Sequence, residues 1–314
     1  MHSFKKSLLW LVLFASAASA GWKVSKNPIK LAGGGEKYFM NPMWSPAGDK
    51  IAFSEMQYRG LWIINPDGSG LQQLSDETAA GFGLQWSPDG QALISRVAKY
   101  QGRRRYNALK LFELATQRSR LLSDYRTFMP GLPQWAEGNQ KVFMFNRKKL
   151  EVFATGLPLQ PNVQNQMPQT VAFLLNGKIA TGVLEGYKTL EPVAQRQYLN
   201  LVLSPDRQKI AFEMKGGNLH VMNLDGSGLR DLGPGNRPQW SPDSRYLVYM
   251  IAQDDGHEFV GSDLFIIRSD GQERTQLTQT PNRLEMDPSW GKNNRIVFDT
   301  HEEGELYIIE LARE

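Results

Sequence analysis

Four histidines and no cysteine leave this chain little with which to do nucleophilic or metal chemistry. The missing thiols exclude cysteine catalysis, zinc–thiolate sites and iron–sulfur clusters. Three histidines lie beyond the N-terminal segment: His220, His257 and His301. His257-Glu258 and His301-Glu302-Glu303 set imidazole beside carboxylate, as metal ligands are set, but neither completes His-Glu-x-x-His. His220 sits in an apolar strand, where packing between blades accounts for it. Asp67, Asp89, Asp206, Asp225, Asp243 and Asp270 look like a carboxylate array, yet each lies in a short turn rich in Gly, Ser or Pro, the setting in which Asp bonds its own backbone. Ser69 and Ser227 lie in Gly-Ser-Gly turns rather than in a Gly-x-Ser-x-Gly elbow, and no Gly-x-x-x-x-Gly-Lys phosphate loop occurs. These observations predict no catalytic residue, no cofactor and no metal site.

Residue types suited to binding are more plentiful. Arg and aromatic side chains dominate protein interfaces. Between apolar runs the chain carries Tyr38; Tyr58 and Arg59; Tyr100, Arg103, Arg104, Arg105 and Tyr106; Tyr125, Arg126 and Phe128; His257; and Arg283. The arginine triplet between two tyrosines has the composition of a nucleic-acid contact, but the export signal argues for a different target, an acidic protein segment or an anionic envelope polymer.

The elements that position these residues come from a repeat. Trp44-Ser45-Pro46-Ala47-Gly48, Trp86-Ser87-Pro88-Asp89-Gly90, Leu203-Ser204-Pro205-Asp206 and Trp240-Ser241-Pro242-Asp243 are each followed by a short apolar strand, and Trp135 and Trp290 begin weaker copies. A second block ends in a tight turn, as in Leu61-Trp62-Ile63-Ile64-Asn65-Pro66-Asp67-Gly68, and recurs at Leu219 and Leu264. Pro presets φ, Asp bonds the backbone and Gly accepts positive φ, so both blocks read as hairpins. Each unit is thus a four-stranded antiparallel meander. Anchor spacings of 42 (44 to 86), 49 (86 to 135), 68 (135 to 203), 37 (203 to 240) and 50 (240 to 290) contain one gap too long for a single unit. Asn176-Gly177-Lys178-Ile179-Ala180 divides it, with a degenerate anchor expected at Ala172. The fold expected is all-β, one β-propeller of seven blades, with six as the alternative count. The last unit ends at Leu306 to Leu311 with almost no chain left for an outer strand, so Pro28 to Ala32 is expected to close the ring.

Residues 1–20 read as a secretory signal: Lys5 and Lys6, an apolar run from Leu8 to Phe14, and Ala18-Ser19-Ala20 at the cleavage site. The propeller domain then spans 21–314. Taking Lys5 and Lys6 from the 36 basic residues leaves 34 against 32 acidic ones, a net charge near +2 with both signs interspersed, which argues mainly for solubility. No later apolar run approaches the ~18 residues of a membrane helix. A monomeric propeller is expected.

The Trp-Ser-Pro-Asp-Gly motif followed by an Ile-Asn-x-Asp-Gly-Ser-Gly turn resembles the TolB-like propeller repeat, over nearly all of the mature chain. TolB itself is a periplasmic envelope scaffold with a separate N-terminal domain and six blades. Here the repeat begins almost directly after the signal and seven units are counted, so the chain resembles the propeller rather than TolB as a whole. The resemblance implies a non-enzymatic, periplasmic (alternatively secreted) scaffold that binds an envelope protein or peptide. The alternative reading is a carbohydrate-active propeller, a polysaccharide lyase or glycan-binding module, with His257 and His301 converging near the central funnel.

Overall fold

A computed structural model describes residues 21–146, 149–158, 170–281 and 283–314; the segment read as an export signal lies outside them. Seven antiparallel sheets follow one another along the chain. Blade 1 is typical: an inner strand Phe39–Trp44, then Ile51–Glu55, Leu61–Ile64 and an outer strand Gln72–Ser75, each paired with the one before. Blades 2, 5 and 6 repeat this order over 85–121, 198–234 and 236–276. Among the described residues blades 3 and 4 have three strands each, over 134–154 and 171–190, not the four expected. For blade 4 the reason is legible. After Gly186–Leu190 only residues 191–197 remain before the next inner strand, Tyr198–Leu203, too few for a turn, a strand and the return to the centre.

The turns form as their sequences dictate. Ser87, Ser204 and Ser241 each donate from Oγ to the Asp two residues on, at 2.6 Å, and the same Oγ accepts the backbone N–H five residues on. In blade 1, where Ala47 replaces the Asp, Ser45 reaches Asp49 instead, at 2.8 Å. Asp67 and Asp225 cap the second turn type, each accepting from the backbone and hydroxyl of the Ser two residues on, bonds that hold both carboxyls below the usual carboxylate range. The Asp residues are therefore turn chemistry.

Register corrects one expectation. Trp44 pairs with Ile51, Trp86 with Leu93 and Trp240 with Leu247; in blade 4 the residue paired with Ile179 is Leu174, not Ala172. The Asn176-Gly177 hairpin is two residues shorter than a Ser-Pro-Asp-Gly turn, which moves the anchor by that amount.

The core lies between blades. Among the described residues seven apolar clusters occur, one at each seam: for example Ala52, Leu61 and Ile63 of blade 1 against Trp86, Leu93 and Phe112 of blade 2, and Phe39, Trp44 and Ile51 of blade 1 against Val297, Leu306 and Ile308 of blade 7. An open row of seven blades has six seams; the seventh cluster means the ring is closed. The anchor tryptophans also bond across seams. The indole N–H of Trp86, Trp135 and Trp240 donates to the carbonyl of Met43, Gln85 and Val202, each the residue just before the preceding blade's anchor, at 3.1–3.4 Å. Each such bond contributes roughly 1 kcal/mol beyond the burial of the ring.

Blade 7 consists of Glu285–Gly291, Arg295–Thr300 and Leu306–Arg313. Its outer edge is covered by the start of the chain in two pieces. Ile29–Ala32 pairs with Leu306 to Ile308, and Trp22–Val24 with Leu311 to Arg313. The second piece was not anticipated. Trp22 anchors it, edge-on to both Tyr246 (5.6 Å) and Trp290 (5.5 Å), beneath the Arg313 guanidinium. Among the described residues no helix is long and apolar enough to cross a membrane.

Candidate functional site at the channel mouth

In a four-stranded meander the first and third turns lie at one end of the blade and the remaining connections at the other. The Ser-Pro-Asp-Gly and Asp-Gly turns therefore share one face. The second-to-third loops and the blade-to-blade crossings share the opposite face, where all thirteen residues singled out for binding lie.

The structure separates those residues by role. Tyr58 lines the central channel; its ring meets Phe82 edge-on at 5.0 Å and its hydroxyl meets Arg237. Tyr38 is structural: its hydroxyl donates to the His301 carbonyl and its ring packs on Gly304, where a Cβ would come within 2.3 Å. Burial and nearby Asp299 raise its pKa. Arg126 is held by a two-pronged ion pair to Glu151 at 2.6 and 3.0 Å. Tyr125 lies under the Lys99 ammonium at 4.1 Å, and Arg283 lies over Tyr307 at 4.7 Å. Arg59, Tyr100, Arg103, Arg104, Arg105, Phe128 and His257 are exposed, and Tyr106 is half-buried. Phe259, not His257, meets His301, edge-on at 5.9 Å. Among the described residues no three His, Asp or Glu side chains converge as metal ligands. His220 is buried and stacked at 5.7 Å on Phe212, which belongs to the apolar cluster at the seam between blades 4 and 5.

The most distinctive site lies on the inner strands. Three residues before the anchor, Asn41, Asn200, Arg237 and Asp287 all have left-handed backbones, with φ between 44° and 54°. Each sits in a register shift of its inner strand, an extra residue that turns the strand and aims its side chain at the axis. Asn41, Arg237 and Asp287 also precede a proline, which normally drives the preceding residue to extended backbone. Left-handed non-glycine residues cost on the order of 1–3 kcal/mol each and cluster where function uses them. Gly83 and Leu132 hold the same position in blades 2 and 3. All six line a channel of about 600 Å³.

The channel wall has two characters. Blades 2 to 4 contribute Phe82, Leu132, Phe143, Phe145 and Phe173. Blades 1 and 5 to 7 contribute polar groups. Arg237 Nε lies 3.4 Å from Asp287 Oδ1, and that carboxylate is the main cause of the guanidinium's raised pKa. Buried Glu213 accepts from Asn200 Nδ2 (2.6 Å), the Arg237 backbone N–H (2.6 Å) and Asn236 Nδ2 (3.2 Å). Burial pushes Asp287 up and Asp299 well up, so the acid side is less negative than its carboxylate count. Arg96 is stacked on Phe82 at 4.1 Å and donates to the Met129 carbonyl at 2.6 Å; burial brings its pKa down to about 10. Sequence reading missed Asn41, Asn200, Arg237 and Asp287 because it sought binding residues in loops. The x-Pro-x-Trp pattern of Asn41-Pro42-Met43-Trp44, Arg237-Pro238-Gln239-Trp240 and Asp287-Pro288-Ser289-Trp290 was the available signal.

Comparison with solved structures agrees with this architecture. The chain is similar to TolB from Acinetobacter baumannii, with a TM-score of 0.53 and 16% identity, over 81% of this chain and 57% of that one. The fold is a β-propeller, as it is in that TolB. The chain thus spans little more than half the length of that TolB. It is also similar to the β-propeller domain of Cps50 (Swd1) from Myceliophteria thermophila, with a TM-score of 0.59 and 13% identity, over 90% of this chain and 99% of that domain. No family model and no curated protein matches the sequence.

Proposed function

We propose that this TolB-like propeller is a non-enzymatic binding scaffold of the bacterial periplasm that captures a protein or peptide segment at the channel mouth. The observation that carries this reading is the set of inner-strand residues Asn41, Asn200, Arg237 and Asp287, held left-handed and aimed at a channel with one aromatic wall and one polar wall. A polypeptide supplies both chemistries the walls would meet, apolar side chains for Phe82, Phe145 and Phe173 and amide groups for Asn, Arg and Asp. Exposed Arg59, Tyr100, Arg103, Arg104 and Arg105, on the loops of blades 1 and 2, provide a second, peripheral zone of contact on one side of the mouth. A signal read at residues 1–20 and the resemblance of the repeat to that of a periplasmic scaffold support the location.

Crosslinking-assisted purification from envelope extract tests the reading, run in parallel on the mature chain and on Arg237→Gln/Asp287→Asn. Partner bands that fall at least tenfold in the variant, with an unchanged melting temperature, are the expected result. Equal capture by both proteins removes the channel mouth from the binding site.

A further inference from the structure

The two longest hairpins of the propeller project from the same face with opposite charge. In blade 2 the second and third strands run Ala92–Gln101 and Arg104–Glu113; in blade 6 they run Tyr246–Asp254 and Phe259–Arg268. Blade 1 uses five and four residues for the same strands. The extra length, about four to six residues per strand at ~3.3 Å each, carries both tips clear of the ring. All of 99–105 and 253–260 is exposed.

The blade 2 tip presents Lys99, Arg103, Arg104 and Arg105; the blade 6 tip presents Asp254, Asp255 and Glu258. Among the described residues none of these seven is held in an ion pair, whereas Arg126 and Lys110 nearby are. The acidic side is extended by exposed Glu302 and Glu303 on the blade 7 loop, which His301 joins to the tip through Phe259. Each tip also exposes apolar surface: Tyr100 (58%) on the basic one, Phe259 (39%) and Val260 (58%) on the acidic one. The hairpins stand three blade steps apart across the closing seam and four the other way, so they flank the mouth from nearly opposite sides.

We propose that this face docks on a second copy of the chain, the basic hairpin of each copy against the acidic hairpin of the other. A two-fold axis in the plane of the face, midway between the tips, makes both contacts at once, since an isologous interface needs only a patch and its complement on one surface. Exposed charges attract only within a Debye length, so the association is expected to depend on salt, and it sets channel mouth against channel mouth in competition with partner capture. The proposal does not depend on the channel reading.

Sedimentation equilibrium of the mature chain at ~0.01 M and ~1 M salt, where the Debye length is ~30 and ~3 Å, gives the first test. A dimer at low salt that dissociates at high salt is expected; a monomer throughout overturns the proposal. Charge reversal gives the second. Arg103→Glu/Arg104→Glu and Asp254→Lys/Asp255→Lys are each expected to weaken self-association at least about tenfold. Mixed in equal amounts they restore complementarity at both contacts, and a heterodimer is expected. A mixture that stays monomeric, or single variants that still dimerise, overturns the assignment of the hairpins. All these substitutions fall on exposed tips, and equal melting temperatures verify folding.

Discussion

Glu285 begins the inner strand of blade 7 and is 1% exposed, with hydroxyls rather than a cation for company. Thr278 Oγ1 donates to its Oε2 at 3.3 Å, and Asp263 is near enough to oppose its ionisation. Burial is the larger cause, and together they raise its pKa to about 7. A raised carboxylate pKa means that the folded state binds the proton more tightly than the unfolded chain. The resulting stability is fully present below the unfolded value, ~4.3, and is lost as pH rises through about 7. Its full size is of order 3 kcal/mol, since one pKa unit is ~1.4 kcal/mol. Glu285→Gln keeps the shape and removes the ionisation. The variant is expected to melt near the wild type at pH 4.5 and progressively above it toward pH 8. A melting difference that stays flat across this range would show that Glu285 ionises freely in the folded protein.

At the scale of the strand, the inner strands trade stability for aim. The bulge at Arg237 and Asp287 forces two L-residues, both followed by proline, into left-handed backbone. Glycine adopts that conformation freely, so Arg237→Gly/Asp287→Gly removes the strain together with the ion pair, and no lone charge of the pair remains. Relief of on the order of 1 kcal/mol or more per site is offset by the ~0.5–1 kcal/mol that each glycine costs in chain entropy. The double variant is expected to melt within a few degrees of wild type, or above it, while losing partner capture. A large loss of stability would mean that the pair holds the ring together rather than serving the mouth. The same strands show what the sequence made legible. Turns were readable because Ser, Pro, Asp and Gly act within a few residues, and Asp89, Asp206 and Asp243 accept the backbone N–H two residues on, as expected. Leu174 was misplaced as Ala172 because only pairing across the hairpin fixes an anchor that has lost its Trp. The polar wall was illegible for a related reason. Asn41, Asn200, Arg237 and Asp287 lie far apart in the chain and meet only because the ring closes.

Closure is the property of the whole molecule on which the site depends. Seven seams with seven clusters mean that each blade is packed on both lateral faces, and the closing seam brings together distant parts of the chain, such as Phe39 and Leu306. Each blade depends on its neighbours for a core, so a fault at the seam propagates around the ring. Counting anchors gave seven blades and located Ile29–Ala32, but Trp22–Val24 carries no repeat signature and was found only through its partners Leu311 to Arg313. Trp22 is 7% exposed in the cluster shared by blades 6 and 7, with Tyr246, Trp290 and Leu311. Trp22→Ala is expected to cost ~3–5 kcal/mol, the range for a large aromatic lost from a core. At ~2 °C or more per kcal/mol for a domain of this size, that lowers the melting temperature by roughly 6–10 °C. Removing 21–32 deletes both closing strands and is expected to exceed this, broadening the transition as blade 7 loses its outer edge. Thermal melts of the two variants against the mature chain decide the matter. A 21–32 deletion that melts with the wild type's temperature and sharpness would mean that the blades hold one another without the velcro of the first strands, and that the channel mouth owes its geometry to the seams alone.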